Sequence, residues 1–519
     1  MSPGGDTALG MQDLASSPQG ERHPLAALAE DAARTPLAPG FEPEPPDDDQ
    51  PLYAARQKVY PQRVTGTFRR VKWAVLFFTL GVYYLLPFVR WDRGLNAPGQ
   101  AVLIDFPSRR FYFFFIEIWP QEFYYVTGLL ILAAMALFLM NAVAGRLWCG
   151  YLCPQTVWTD LFQAIERWTE GDRREHLQRD RQPWTVNRLA RAGTKHFLWL
   201  MVAWWTGGAW VLYFADAPTL VKDLATFQAP LIAYAFIGLL TFSTYALAGW
   251  MREQVCVYMC PWPRIQAALT DEYALNVTYR YDRGEPRASV KKAAALHEQG
   301  LPAGDCIDCL QCVHVCPTGV DIRGGPNLGC IQCGLCIDAC DAVMEKIGRP
   351  ARLIAFDTDI NIKRRQLGEK PVYNIVRTRT LLYAAIIVIV GSVMAYALAT
   401  RHSDAISVLH DRNPLFVNLS DGSLRNAYTV RILNKSLQSR AFVLKVSGLP
   451  DADVDVIGSS SFFGADPLID VGADQSREAR VLVTARERVP AGASIPITFT
   501  IVPKTGGRPV SANDHFFGP

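Results

Sequence analysis

Apolar residues along this chain gather into five long runs and then change rhythm. The runs cover Trp73–Val89, about Phe123–Ala144, His196–Phe214, Pro230–Trp250 and Leu381–Ala399. Each approaches the roughly 20 apolar residues that carry a helix across a bilayer. The first is short and the third is interrupted by Gly207 and Gly208. After the fifth run, continuous apolarity gives way to alternation. "AYTVRILNKS", "FVLKVSG", "ARVLVTARERV" and "SIPITFTIV" read as short strands parted by Gly, Pro, Asn and Asp, the signature of a β-sandwich. With no cysteine and no histidine cluster in it, this last part reads as an interaction or anchoring domain.

The polar segments set the expected orientation. Residues 1–58, with "PGFEPEPPDDDQP", are too polar and Pro-rich to offset chain entropy by burial, so a disordered tail is predicted. No apolar stretch follows a basic start there, so no cleaved signal peptide is expected. "RVTGTFRRVK" precedes the first run, "RWTEGDRREHLQRDRQPW" lies between the second and third, and "KRRQLGEKPVYNIVRTR" precedes the fifth. By the positive-inside rule these three segments are cytoplasmic. The segment between the third and fourth runs carries only Lys222, as an outer loop should, whereas Arg90, Arg93, Arg109 and Arg110 between the first two weaken the contrast. Five crossings from a cytoplasmic N-terminus put the C-terminus outside. A chain of 519 residues exceeds one ordinary domain, and a net charge of +3 gives no reason to invoke nucleic acid.

Chemistry is concentrated in the twelve cysteines. Eight fall between Asp305 and Cys340, as Cys306-x2-Cys309-x2-Cys312-x3-Cys316-Pro317 and Cys330-x2-Cys333-x2-Cys336-x3-Cys340. This is the spacing of bacterial two-cluster ferredoxins, in which each motif lends its last cysteine to the other centre. One 4Fe-4S cluster would be held by Cys306, Cys309, Cys312 and Cys340, and a second by Cys330, Cys333, Cys336 and Cys316. Zinc knuckles usually separate their C-x2-C pairs by longer loops, and a reducing cytoplasm disfavours disulfides. Asp341 stands where a proline would follow Cys340. His314 is expected beside the ligands or at the surface, because four thiolates already serve each centre. With no iron left open, such a module relays electrons.

The other four cysteines form two "CxYxCP" pairs, Cys149/Cys153 and Cys256/Cys260, closing the second and fourth runs. A continuing helix would put both sulfurs of a pair on one face. The first four runs then read as a duplicated hairpin with both pairs at the cytoplasmic membrane surface. Four converging thiolates would bind Cu(I) or cycle between dithiol and disulfide, whereas a purely structural reading makes them small apolar packing residues. Haem is not expected, since His196 is the only histidine near any run.

"VYPQRVTGTFRRVKW", "RWDRG", "AVLIDFPSRRFYFFFIEIWPQEFYY", "RLWCGYLCPQTVWTD" and the paired cysteine run together resemble the cytochrome c oxidase accessory proteins called CcoG, FixG or RdxA, from about Val59 to the end of the chain. The resemblance implies an inner-membrane factor of bacteria that reduces Cu(II) to Cu(I) during assembly of cbb-type haem-copper oxidases. It implies oxidase subunits and copper-delivery proteins as partners and an unidentified cytoplasmic electron donor, and it is compatible with a homo-oligomer. Cys149, Cys153, Cys256 and Cys260 match the family's CxxxCP pairs and would handle copper. The expected architecture is an α-helical bundle of five transmembrane helices, a ferredoxin-like module with two 4Fe-4S clusters, and a C-terminal Ig-like β-sandwich. The expected divisions are a membrane region at 59–252, a cytoplasmic iron-sulfur domain at 253–379, a fifth span at 380–400 and an outer sandwich at 401–519. Two other readings remain open at this point. One is an electron-transfer subunit like the membrane ferredoxins of nitrate respiration; the other is a non-enzymatic scaffold or redox sensor.

Overall fold

The computed structural model describes residues 58–519 apart from positions 95–96, 437, 459–460, 465, 487–488 and 491. The expected disordered tail lies outside the described residues except for Lys58. Seven helices carry the argument: α1 (Thr67–Leu85), α2 (Tyr124–Ala144), α3 (Pro154–Glu170), α4 (Val186–Val211), α5 (Leu231–Thr244), α6 (Leu335–Lys346) and α7 (Thr378–Ala399).

Among the described residues four stretches, not the expected five, are long and apolar enough to cross a membrane: Thr67–Phe88, Pro120–Ala144, Leu231–Met251 and Thr378–Ala399. The third expected span, His196–Phe214, falls on α4 up to Val211, the end of a helix of 26 residues containing Trp199, Trp204, Trp205 and Trp210. Its indoles, three glycines, Lys195 and His196 lower its hydropathy. Even so, α4 runs between the same two ends as its neighbours. Lys195 near its start pairs with Glu170 at the end of α3, while Leu212 just past its end accepts from the buried Gln100 side chain. The apolar faces of the spans need hydrocarbon around them. In α7 the most apolar stretch has no buried residue, and Leu381, Val388, Ile389 and Val393 lie exposed.

One end of the bundle carries the cysteine-rich region and the other the sandwich. At the first end, Arg377 preceding α7 donates to the Ala142 carbonyl at 2.6 Å and pairs with Asp271. At the second, Arg401 just past α7 meets Glu122 at 2.9 Å. The segment between the first two spans folds into a small antiparallel sheet, β1 (Val102–Asp105), β2 (Arg110–Phe113) and β3 (Ile116–Ile118). Three of its four arginines, Arg90, Arg93 and Arg110, have structural partners, which accounts for the weak charge contrast along the chain. Arg93 donates to the carbonyls of Pro98, Gln100, Ala101 and Phe114, and Arg90 pairs with Asp216.

The cysteine-rich region is framed by a two-stranded ribbon, β4 (Asn276–Tyr279) against β5 (Ile354–Asp357). The C-terminal region comprises β6 (Asp404–His410), β7 (Val417–Asn418), β8 (Leu424–Asn434), β9 (Arg440–Ser447), β10 (Ala452–Val456), β11 (Phe462–Phe463), β12 (Asp466–Val471), β13 (Gln475–Ala485), β14 (Ser494–Pro503) and β15 (Val510–Phe517). They form two antiparallel sheets, ordered β10-β13-β8-β6 with β7 on β8, and β11-β12-β9-β14-β15. Leu424, Tyr428, Val430 and Ile432 alternate inward along β8 to meet Phe442, Phe499 and Phe516, as a two-layer core requires.

Ion pairs fix the sandwich to the bundle. Lys435 reaches Glu122 at 2.6 Å, and Arg110, stacked on Trp119, bridges Asp474 at 2.9 Å and Glu117 at 3.0 Å. Burial, reinforced by the Asp474 charge, pushes the Glu117 carboxyl upward to about 7. Folding thus favours its protonated form. The associated stability is complete below about pH 4.5 and is lost as pH rises through about 7. Glu117→Gln is expected to abolish this dependence, leaving thermal unfolding of the sandwich flatter between pH 5 and 8 than in the parent; an unchanged profile would exclude Glu117 as its source.

Candidate functional site

The two cysteine motifs have one backbone shape. In each, the residues on either side of the second cysteine take positive φ: Asp308 (56°) and Leu310 (57°) around Cys309, Gln332 (56°) and Gly334 (75°) around Cys333. A short helix, Gln311–His314, then follows the first loop, and α6 follows the second. Leu310 holds a conformation that costs an L-residue roughly 1 kcal/mol, so the loop shape is enforced by its surroundings.

The structure brings the eight thiols together in the crossed order. Cys306, Cys309, Cys312 and Cys340 line one small cavity with Tyr279 and Leu353. Cys316, Cys330, Cys333 and Cys336 line another, to whose wall Cys312 also belongs. Soft thiol donors, four to each cavity, fit a 4Fe-4S cluster in each. Burial pushes the Cys312, Cys330 and Cys340 thiols up to about 12. Among the eight, Cys309 alone is exposed. The first cavity is therefore open to solvent at Cys309, and the second lies on the side of the bundle. His314 closes the helix after the first loop and lines neither cavity.

Both CxYxCP pairs converge on the second motif. Cys149 and Cys256 pack with Ile331, Cys333, Leu335 and Cys336. Burial first, then the neighbouring Cys153 and Cys256 thiols, pushes Cys149 up to about 12; burial, Cys153 and Cys260 do the same to Cys256. The four thiols thus lie within electrostatic reach of one another. No helix continues through either pair. Cys149 sits in the short helix Leu147–Tyr151 and Cys256 in the π-helical turn Val255–Met259, but Cys153 and Cys260 are extended. Pro154 and Pro261 cause this, because a proline disfavours helical backbone at the residue before it. Nor is the duplication symmetric: Tyr151 is buried and donates to the Cys333 carbonyl at 2.9 Å, whereas Tyr258 is exposed.

Several residues that build this junction carry no motif. Asp338 on α6 accepts from the backbone N–H groups of Phe68 at 3.2 Å and Arg69 at 2.8 Å, so the iron-sulfur region caps the first span. Gly66 permits the approach, because a Cβ there would lie 2.2 Å from the Asp338 carboxyl carbon. Gly150 does the same for the first CxYxCP helix, where a Cβ would lie 2.8 Å from the Ile331 oxygen. Arg146 donates its backbone N–H to Gln332 at 2.7 Å and its guanidinium to the carbonyls of Cys330, Leu328 and Pro263. Cys149 Sγ donates to the buried Gln266 amide oxygen at 3.3 Å. Only the tyrosine shared by "CGYLCP" and "CVYMCP" hinted at any of this. Glu166, Glu170 and His176 also gather within 4.8 Å, but Arg252 and Lys195 pair with the carboxylates, making a charge network and not a metal site.

The fold and site define a membrane-bound iron-sulfur protein with redox-competent cysteines at one end of its bundle. Family descriptions match the chain in three places: "4Fe-4S binding domain" at residues 126–170, "4Fe-4S dicluster domain" at 251–359, and "IG-like fold at C-terminal of FixG" at 394–519. Over 464 residues it is 48% identical to "Nitrogen fixation protein FixG" of Rhizobium meliloti, covering 84% of this chain and 87% of that one. It is likewise 48% identical to "Protein RdxB" of Cereibacter sphaeroides, over 85% of this chain and 91% of the relative. The chain belongs to the FixG family. A crystal structure of a FixG-related protein from Vibrio parahaemolyticus matches 23% of this chain and 98% of its own length at 22% identity, with a TM-score of 0.19.

The junction predicts two effects. Asp338→Ala removes two buried charge-assisted hydrogen bonds, with an expected loss of about 1–3 kcal/mol. Gly150→Val should cost a similar ~1–3 kcal/mol through overpacking and raise alkylation of Cys149. Thermal unfolding and thiol labelling of detergent-solubilised protein measure both; wild-type values would mean that the junction is not held by these contacts.

Proposed function

We propose that this FixG-family electron-transfer protein takes single electrons from a cytoplasmic donor and uses them to reduce Cu(II) to Cu(I) at Cys149, Cys153, Cys256 and Cys260. The supporting observation is the order of the thiols: an exposed Cys309 edge, then the Cys316, Cys330, Cys333 and Cys336 set, then Cys149 and Cys256 packed with Cys333 and Cys336 of that set. When bound, two 4Fe-4S clusters supply one-electron chemistry to this row, held by Cys306, Cys309, Cys312 and Cys340 and by Cys330, Cys333, Cys336 and Cys316. The chain's own part is to keep the sets adjacent and to exclude water. Arg146 and Tyr151 tie the CxYxCP helix to the backbone of Cys330 and Cys333. Each electron delivered converts one substrate Cu(II) to Cu(I), which soft sulfur ligands favour.

The resemblance to oxidase accessory proteins extends this reading to assembly of a cbb-type oxidase in the bacterial inner membrane, with oxidase subunits and copper-delivery proteins as partners. The N-terminus would be cytoplasmic and the sandwich periplasmic, consistent with the basic segments at the cysteine end. Haem has no part in it. A second reading draws on the description of residues 126–170 as a 4Fe-4S binding domain, which includes Cys149 and Cys153. On that reading the four CxYxCP thiols hold a third iron-sulfur centre.

Iron analysis separates the two readings. Anaerobically purified protein should carry about eight iron and eight sulfide per chain; about twelve of each would favour the third centre. Cys316→Ser should damage the centre built mainly by the second motif, and loss of only the other one would sink the crossed ligation. Replacing Cys153 and Cys260 together is expected to abolish copper binding and Cu(II) reduction while leaving iron content and cluster spectra unchanged. Copper reduction at the parent rate would instead assign those pairs a structural role. For orientation, a reporter active only outside the cytoplasm should work after the sandwich and fail near Gly300, and the reverse pattern would overturn the topology.

A further inference from the structure

Beside the junction lies a cavity of about 880 Å³, between the start of α1, helix α3 and the cysteine-rich region. Its iron-sulfur wall is made by Val315, Pro317 and Leu335, the immediate neighbours of Cys316 and Cys336. Opposite stand Trp73 and the exposed Trp168. Four arginines, Arg63, Arg69, Arg70 and Arg167, line it against two aspartates. The acidic oxygens are already engaged. Asp160 accepts Arg69 Nη1 on both oxygens, at 2.8 and 3.0 Å, and Asp172 accepts the backbone N–H groups of Arg63 and Arg173.

The donors are not all engaged. Arg69 is 8% exposed and Gln163 3%, yet Arg69 Nη2 and Gln163 Nε2 are buried with no hydrogen-bond partner. The half-buried Arg167 guanidinium makes no hydrogen bond and no ion pair within 4 Å among the described residues; Asp160, Asp172 and Glu166 attract it only from farther away, and Arg69 repels it. Unmatched donors of this kind cost roughly 1–3 kcal/mol each when buried. A wall with spare N–H groups, an excess of arginine and two indoles is complementary to an anion that accepts several hydrogen bonds. Arginine forks match the oxygens of a phosphate in particular.

We propose that this cavity is a binding site for an anionic phosphate group, seated against the cysteine loops by Arg69, Gln163 and Arg167. Two sources present that chemistry here. The site adjoins the start of a membrane span, where the head group of an anionic phospholipid would reach it. It is also large and aromatic enough for a soluble phosphorylated carrier with a planar ring.

Full-length protein in nanodiscs tests both sources. For the lipid, native mass spectrometry compares retention of phosphatidylglycerol with that of phosphatidylcholine. For the soluble source, fluorescence titration compares flavin mononucleotide with riboflavin, which lacks the phosphate, and inorganic phosphate serves as competitor on the wild-type protein. Arg167→Gln and Gln163→Leu remove donors that lack hydrogen-bond partners, so they should leave iron content unchanged and thermal unfolding no lower than in the parent. Whichever phosphate compound binds, affinity should fall roughly tenfold in Arg167→Gln, and inorganic phosphate should displace it from the wild type. Preferential retention of phosphatidylglycerol identifies the lipid source, and preference for flavin mononucleotide over riboflavin identifies the soluble one. The inference fails if neither is preferred, or if the preferred compound binds both variants as it binds the parent and is not displaced by phosphate.

Discussion

The first span enters the membrane from its cysteine end with Arg69, Arg70 and Lys72 near its start. That placement suits orientation by basic flanks but sets positive charge against the positive pole of the helix dipole, an unfavourable arrangement. Gly66, at the N-cap position, has no side chain to offset it. The remedy comes from elsewhere in the chain. Asp338 of the iron-sulfur region accepts the first free N–H groups, and Asp160 of α3 pairs with Arg69 at 2.8 Å and approaches Lys72 at 3.9 Å. Burial would raise the Asp160 carboxyl, but Lys72 and Arg69 outweigh it and hold the group below the usual carboxylate range. The bundle and the cysteine-rich region are therefore electrostatically interdependent.

This dependence has a geometric consequence for electron transfer. With α1 capped by Asp338, the loop carrying Cys330 and Cys333 is held against the end of the bundle, where Gly150 and Tyr151 bring the first CxYxCP helix onto its backbone. The contact is direct, backbone to backbone, with Arg146 crossing it to the Cys330 carbonyl. Such an interface leaves little freedom for the two thiol sets to drift apart. A relay of single electrons needs that constancy more than it needs a large buried area, because no bond is made or broken along the way.

The sequence revealed most where the chemistry is local. Cysteine spacing is a property of a few adjacent residues, and it anticipated which thiols meet around each cavity. Alternation in "AYTVRILNKS" anticipated β8 because one face of that strand is buried. Apolar runs anticipated these four spans and added a fifth in α4, whose tryptophans, such as the buried Trp199, lengthen the run while contributing little to hydropathy. The small sheet β1–β3 was illegible: its arginines looked like topological signals and are in fact partners of carbonyls and of Asp474. Asp338 was illegible for a stronger reason. Its role is to cap a helix some 270 residues earlier in the chain, and nothing in "LCIDAC" distinguishes it from a surface aspartate.

The two CxYxCP pairs illustrate how much a repeat can conceal. They share every quoted residue type, yet Tyr151 is buried on the iron-sulfur loop while Tyr258 faces outward, and a short α-helix carries Cys149 where a π-helical turn carries Cys256. The first pair spends its tyrosine on attachment. The second, reached through two π-helical segments broken at Arg252, keeps an exposed Tyr258 and Met259 beside Cys260. The four thiols thus have a closed side and an open side. The closed side abuts Cys333 and Cys336, and the open side carries the exposed Tyr258 and Met259, so the two halves of one duplicated element differ in what they leave to solvent.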